Sequence, residues 1–445
     1  MAIGKRDMER QEELFVPTAD LARSPGHIFY ERLNAVLAEA DFDRLVEELC
    51  EPLYATRGRP SIAPGIYFRM MLLGFFEGLE SDRGIAWRCS DSLSVRSFLG
   101  LPLTAKTPDH SSLSRIRQRL TPEVHEAVFN FVLQVLVDHD LLDADSVAVD
   151  GTTLEANAAL RSIVRRKGGD SYKEYLKKLA KEMGIEEPTQ EDLSKLDRKR
   201  KKKGSNADWE HPQDPDAHIT KMKNGSTHMA YKSEHGVDLD SGAIVAVTLH
   251  PGTKGDTSTV YETMLETCKN LASLGKKDMP KFVADKGYHS NETMKFMEEA
   301  GLESYFAEPN RGKRNWEGKE IEKQGTLANR ARIQSDEGKA LMRLRAEKAE
   351  RSFAHCLETG GLRRIHLRGL ENIRKRYIVH VAGFNLGIVM RKLLGAGTPR
   401  GMAGLKGLVR TCLGLMEKAM ARRSEVWRVL EVRCMTFASS PRLAA

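Results

Sequence analysis

The six cysteines of this 445-residue chain, Cys50, Cys89, Cys268, Cys356, Cys412 and Cys434, lie far apart and include no Cys-x-x-Cys pair. That spacing argues against a zinc ribbon and a disulfide framework, and it fits reduced thiols in a cytosol. Long hydrophobic runs are also missing. The longest apolar stretch, Ile378 to Met390, is interrupted by His380 and Asn385 and falls short of a membrane span. The opening residues lack the apolar centre of a signal peptide, so a soluble cytoplasmic protein with no membrane partner is expected. No Gly-x-x-x-x-Gly-Lys-Ser/Thr loop is present to cradle ATP. Gly395-Ala396-Gly397 lacks the third glycine of a dinucleotide fingerprint, so no nucleotide cofactor is expected. His211, His218, His228 and His235 are scattered without zincin spacing.

What is present is charge. Hydrophobic residues make up 40% and charged residues 30% of the chain, as in a globular protein with long polar excursions. The net charge of +8 is gathered in clusters, which favours a polyanionic partner such as nucleic acid.

Residues 1 to 140 read as an all-helical unit. Apolar residues recur at helical spacing from Phe29 to Tyr54, break at Arg57-Gly58-Arg59-Pro60, and resume from Tyr67 to Phe76. A further helix should begin after Thr107-Pro108-Asp109, capped by Asp109 or a nearby serine, and another should cover Glu123 to Val137.

The pattern then changes. Ser146 to Asp150 reads as a short strand ending on an acid, and His228–Asp238 and Ala243–His250 as two strands joined by a turn at Asp240-Ser241-Gly242. Asp256–Leu274 and Asn291–Ala300 read as helices around a second short strand, Lys281 to Asp285, that also ends on an acid. A brief strand at Glu303–Ala307 and polar, basic sequence to Gln334 precede a long helix, Asp336–Glu358, stopped at Gly360-Gly361. A three-stranded meander followed by alternating helices and strands is the order of a ribonuclease-H-like α/β domain: a mixed sheet with flanking helices, here over 141–395. Residues 396–445 form a basic tail.

Residues 160–225 interrupt this order between the first and second strands. They include Arg198, Lys199, Arg200, Lys201, Lys202 and Lys203 in a row and are expected to form a mobile insertion, serving as a solvated linker or as a clamp on a DNA backbone.

If the strands ending at Asp150 and Asp285 are neighbours, both carboxylates project from one sheet edge. Two bare acids there would repel unless cations lay between them. Oxygen-only ligands on a partly open site suit Mg²⁺, with Mn²⁺ able to substitute, and two such ions about 4 Å apart can serve both oxygens of a phosphodiester displacement. Glu350 can supply a third carboxylate. Helical spacing places it with Ala346, Phe353, Ala354 and Leu357 on a stripe facing the sheet, and Glu347, one turn earlier, is its rival. Each acid also has a plainer explanation. Asp150 before Gly151 and Asp285 before Lys286-Gly287 could start turns, and Glu350 could pair with Arg343 or Lys348.

These blocks resemble a known family. Val147-Ala148-Val149-Asp150-Gly151-Thr152-Thr153, Val283-Ala284-Asp285-Lys286-Gly287-Tyr288-His289-Ser290 and Glu350-Arg351-Ser352-Phe353 resemble the three acid blocks of DDE transposases from bacterial insertion sequences. Gly361-Leu362-Arg363-Arg364, Leu367-Arg368-Gly369-Leu370 and Phe384-Asn385-Leu386 continue the likeness downstream. Upstream, Arg57-Gly58-Arg59-Pro60, Phe98-Leu99-Gly100-Leu101 and Pro108-Asp109-His110-Ser111-Ser112-Leu113 resemble the same proteins' helical N-terminal domain, and the match spans about residues 50 to 390. The resemblance implies cleavage at element ends, strand transfer, and Asp150, Asp285 and Glu350 as metal ligands. One departure stands out: the Tyr-Arg-Glu-Lys signature around the glutamate is eroded, with Ala346 at the arginine position, Arg345 beside it, and Leu357 at the lysine position. Arg351, Arg363 and Arg364 are candidates to take over phosphate contacts.

Double-stranded DNA is the expected partner, bound by a homodimer when two ends are brought together. Lys286 and His289 flank a catalytic acid, and Arg115, Arg117 and Arg119 could bring their helix to a groove or simply form a solvated face. Arg368 joins the phosphate-facing set. Trp316 could stack on an unpaired base, although a core or loop role suits it as well. Two rivals remain: a ribonuclease-H-like nuclease that only hydrolyses, and a DNA-binding protein derived from a dead transposase.

Overall fold

A computed structural model describes residue 17 and residues 27–402, except 59, 201–203, 223–224, 311 and 313. Lys201, Lys202, Lys203, Arg59 and most of the 396–445 tail therefore lie outside the described residues. The N-terminal helices are α1 (Ile28–Glu39), α2 (Phe42–Cys50), α3 (Pro64–Glu77), α4 (Asp82–Asp91), α5 (Leu93–Phe98), α6 (His110–Arg119) and α7 (Pro122–Asp138). Asp109 caps α6 by accepting from the Ser112 amide at 2.7 Å, as its place before the helix predicts. Two short helices, α4 and α5, escape the apolar periodicity. Each begins at a serine cap, Ser81 and Ser92, and only Ile85 and Cys89 of α4 are buried.

The rest of the chain runs β1 (Ser146–Glu155), β2 (Val164–Arg165), α8 (Tyr172–Glu182), α9 (Gln190–Lys199), β3 (Trp209–Glu210), β4 (His218–Lys221), β5 (Thr227–Asp238), β6 (Ile244–Pro251), α10 (Asp256–Ser273), β7 (Lys281–Ala284), α11 (Asn291–Glu299), β8 (Ser304–Phe306), α12 (Glu320–Gln334), α13 (Asp336–Ala354) and α14 (Leu370–Leu394). Strand β5 pairs antiparallel with β1 and β6, and β1, β7 and β8 are parallel. This meander extended by parallel strands is the ribonuclease-H-like mixed sheet that the element order implies.

Four expectations need correction. Strand β1 does not stop at Asp150 but runs on to Glu155, because Gly151, Thr152 and Thr153 stay paired with β5. The stretch before the long helix is not all irregular, since α12 occupies Glu320–Gln334; its buried face is Gly325, Thr326 and Asn329, which leaves no apolar stripe to read. Helix α13 ends at Ala354, and a π turn, His355–Thr359, leads to Gly361 at φ 70°.

The fourth concerns the insertion, whose described residues are folded. Helices α8 and α9 each begin with a reciprocal cap, Ser171–Glu174 and Thr189–Asp192, and pack through Leu176, Ala180 and Leu193. Trp209 lies edge-on to Tyr172 and Tyr175 at 5.0 and 5.3 Å, and Arg165 and Arg200 sit over the Tyr175 ring. Three aromatic rings and two capping boxes supply the stabilisation that an apolar count overlooks.

The helical unit and the sheet share one continuous core. Helix α14 is the element they share. Asn385 brackets Ile244 of β6, donating to its carbonyl at 2.8 Å and accepting from its amide at 2.9 Å. On the other side, Arg376 donates to the Met71 carbonyl within α3 and the Leu79 carbonyl just beyond it, and Lys375 to the Arg117 carbonyl of α6. Among the described residues α14 alone is long and apolar enough to cross a membrane, and 78% of its most apolar window is buried inside the protein, as in a core helix.

Candidate catalytic carboxylates and DNA-facing residues

The parallel pairing of β1 with β7 sets the site. Val149 stands opposite Ala284, the last pair in the register, so Asp150 and Asp285 are the next residue on each of two adjacent strands. Neighbouring strands lie about 4.8 Å apart, which puts the two acids side by side. Both are half-buried. The Asp285 carboxylate accepts from the Gly287 amide at 2.8 Å and thereby shapes the turn that follows, while Asp150 accepts from the Gly151 amide at 2.8 Å. Two adjacent carboxylates offer the oxygen donors that a hard divalent cation takes.

The third acid is not gathered in with them. Asp150 is the register partner of His235, and side chains of directly opposed residues share a sheet face. His235 stacks on Phe353 of α13 at 4.1 Å, so α13 covers that face. The inward stripe of α13 is Leu341, Arg345, Ala349 and Ser352–Phe353, with Glu350 and Ala346 exposed beside it. The rival, Glu347, is exposed as well and pairs with Arg351 at 3.3 Å. What α13 does bring to the first aspartate is Arg345, whose guanidinium stands 3.6 Å from the Asp150 carboxylate with the side chain only 15% exposed. Among the described residues no three His, Cys, Asp or Glu side chains cluster closely enough to hold a metal ion. The helical spacing selects the stripe through Glu350 because it scores Arg345 and Ser352 as polar, whereas both face inward.

The basic residues divide into three groups. Lys286, Arg115, Arg119, Arg198, Lys199, Arg351, Arg363, Arg364 and Arg368 are exposed. Several have a partner: Arg363 pairs with Glu358, Arg364 with Glu155 at 3.8 Å, Arg368 with the Asn157 carbonyl at 3.3 Å, and Arg119 lies over the Tyr54 ring at 4.6 Å. The second group is committed to the fold. Arg117 is buried in a two-pronged pair with Asp82 at 2.6 and 3.2 Å, joining α6 to α4, so it is not free to meet DNA. Arg200 packs on Tyr175 and pairs with Asp197, and His289 is wholly buried beneath the turn after Asp285, so both leave the DNA-facing set. Lys201, Lys202 and Lys203 lie outside the described residues. Trp316 is half-buried, with Arg314 over its ring at 5.5 Å, which is a packing role.

Segment 362–368 runs beside the end of β1. Ile365 donates to the Glu155 carbonyl at 2.9 Å and Asn157 to the His366 carbonyl at 3.0 Å. A cleft of about 440 Å³ separates this segment from α4 and α6, lined by Arg83, His110, Ser114, Asn157 and His366 among others. Leu362, Ile365, His366 and Leu367 of the segment thus face His110 and Ser114 of α6 across one cleft, whose wall also carries Glu80 and Asp82.

The fold is thus a ribonuclease-H-like mixed sheet joined to a helical unit, with Asp150 inside β1 and Asp285 just past the end of β7 as neighbours. The comparisons narrow it. The family Transposase domain (DUF772) matches residues 18–119 and the Transposase DDE domain matches residues 144–386, more than half of the chain. The chain therefore belongs to the DDE transposase family, of insertion-sequence type. No curated protein and no solved structure matches it.

Sequence reasoning missed Lys232, Glu234 and Asp256, which lie directly behind the aspartate pair. Lys232 and Glu234, two residues apart on one strand, share one face, and that alternation was the available signal.

Proposed function

We propose that this transposase binds the ends of its insertion sequence, cuts the DNA there and joins the freed 3′-hydroxyl to target DNA. The observation that carries the proposal is the register placing Asp150 beside Asp285 in the sheet of a DDE family member. Asp150, Asp285 and Glu350 are the metal ligands in this reading, and Mg²⁺, as two ions, is the cofactor. When bound, the ions would activate the attacking oxygen and stabilise the departing one. Glu350 stands on the helix that covers the Asp150 face but outside its inward stripe, so joining the aspartates would take a rearrangement of α13 on DNA binding. The same movement would release Arg345 from Asp150 and free its guanidinium for a phosphate oxygen.

Phosphate contacts fall to Lys286, Arg351, Arg363, Arg364, Arg368, Arg115 and Arg119, with Arg198 and Lys199 of α9 and the run Lys201–Lys203 clamping the backbone. A homodimer would hold two ends together in the cytoplasm, on nucleoid DNA. A second reading, DNA binding without cutting, draws on Arg345 already neutralising Asp150 and on the exposed Glu350.

The test is strand transfer. A labelled duplex carrying the DNA that flanks the gene is incubated with Mg²⁺ and a plasmid target. Covalent joining of labelled 3′ ends to the plasmid supports the proposal, nicking without joining supports a hydrolase, and retention without nicking supports the binding-only reading.

A further inference from the structure

The turn after Asp285 is anchored on a buried charged network on the far side of the sheet. Glu234 is fully buried, and four donors satisfy its carboxylate: Lys232 at 2.6 Å, Thr259 at 2.5 Å, Thr263 at 2.7 Å and the Tyr288 hydroxyl at 3.1 Å. Lys232, only 7% exposed, also donates to Asp256 at 2.6 Å and to Thr259 at 2.8 Å, linking β5 to the first turn of α10. A buried carboxylate persists only when its charge and lone pairs are met, and here they are.

The network presses on both aspartates through the glycines that follow them. A β-carbon on Gly151 would stand 3.0 Å from the Tyr288 hydroxyl and 3.1 Å from Lys232 Cε. One on Gly287 would stand 2.5 Å from the Asp256 carboxylate and 3.0 Å from that of Asp285. The Asp-Gly and Asp-Lys-Gly-Tyr runs thus leave room for the phenol and carboxylates that pass behind the site. Burial, then the carboxylates of Glu234, Asp256 and Asp150, push the Tyr288 phenol far above its ordinary range, so it stays a donor.

We propose that Tyr288 and Lys232 are positioning residues that hold the turn after Asp285, through Glu234 and Asp256, at a fixed distance from Asp150. Neither touches DNA; they restrict the freedom of the carboxylate that does the work. The inference rests on the reading that the two aspartates act together.

The test compares wild-type full-length protein with Tyr288→Phe, using Tyr67→Phe as a control that removes another buried phenol, the partner of His125 at 3.2 Å, far from the site. Amide hydrogen exchange is measured at residues 286–289, beside kcat and KM for nicking of flanking DNA. In Tyr288→Phe the turn amides exchange about tenfold faster, and kcat falls about tenfold with KM unchanged, in the range that outer-shell partners command. Tyr67→Phe changes neither. Unaltered exchange at the turn in Tyr288→Phe would overturn the proposal, as would an equal fall of kcat in Tyr67→Phe. Asp285→Asn separates the layers: if it still nicks, the reading of the aspartate pair fails, and the exchange ratio still decides whether Tyr288 holds the turn.

Discussion

Three arginines share helix α6, and the structure assigns them opposite duties that one pair of measurements can separate. Arg117 is 3% exposed at its side chain and makes two hydrogen bonds to Asp82, itself only 15% exposed. Replacing Arg117 by alanine strands that carboxylate between α4 and α6. Breaking a buried pair costs about 3–5 kcal/mol, and the partial solvation of Asp82 places the loss near the lower end. Arg115 is exposed and, among the described residues, bonds to Ser111 and Ser112 of its own helix at 3.3 Å. Its removal should change stability by no more than about 0.5 kcal/mol. Urea unfolding followed by tryptophan fluorescence reads the first effect, with Trp87 on α4 as a local reporter. Binding to a duplex across a salt series reads the second. Arg115→Ala should lower the slope of log affinity against log salt by about one, whereas Arg117→Ala leaves the slope of the folded protein unchanged. The reverse pattern, an Arg117→Ala protein of normal stability with a flattened slope, would refute this division.

Acid should weaken the fold through buried histidines. Burial pulls the His125 imidazole down to about 4 and that of His380 to about 3, so the folded protein refuses a proton that the unfolded chain accepts near pH 6.5. Their stabilisation is complete above about pH 6.5 and is lost as pH falls from there toward the folded values, by up to about 1.4 kcal/mol per histidine per pH unit. His125→Gln should make the urea midpoint fall less steeply between those limits, and an unchanged slope would contradict the assignment. Glu350→Gln is expected to abolish nicking while Glu347→Gln, which only releases Arg351, is mild; the opposite ranking in a nicking assay would move the third ligand to Glu347. Deleting Arg198 to Lys203 should weaken DNA binding and flatten its salt dependence, and an unchanged salt slope would return that run to a structural role.

Much of this was legible in the sequence where local chemistry decided the outcome. The Asp109 cap, the apolar strands leading to Asp150 and Asp285, and the Asp-Ser-Gly turn between β5 and β6 each depend on a few adjacent residues. Legibility failed where polar side chains take inward positions. Strand β1 continues past Asp150 through Gly151, Thr152 and Thr153 because one face opposes the Glu234 network and the other opposes His235, so no apolar alternation marks it. Helix α13 turns Arg345 and Ser352 inward for the same reason, because the Asp150 and His235 side chains give them partners. The insertion misled through composition: its lysines and arginines are as numerous as its apolar residues, yet Tyr172, Tyr175 and Trp209 help to pack two capped helices. Domain boundaries were blurred because α14 is buried on both sides, serving the sheet and the N-terminal helices at once.

The most direct test of the paired aspartates is Mg²⁺-dependent nicking of flanking DNA by wild type, Asp150→Asn and Asp285→Asn, alongside binding to the same DNA. The account predicts that wild type nicks only with the metal, and that each substitution abolishes nicking while leaving DNA retention largely intact. Nicking by either variant at the wild-type rate would contradict it.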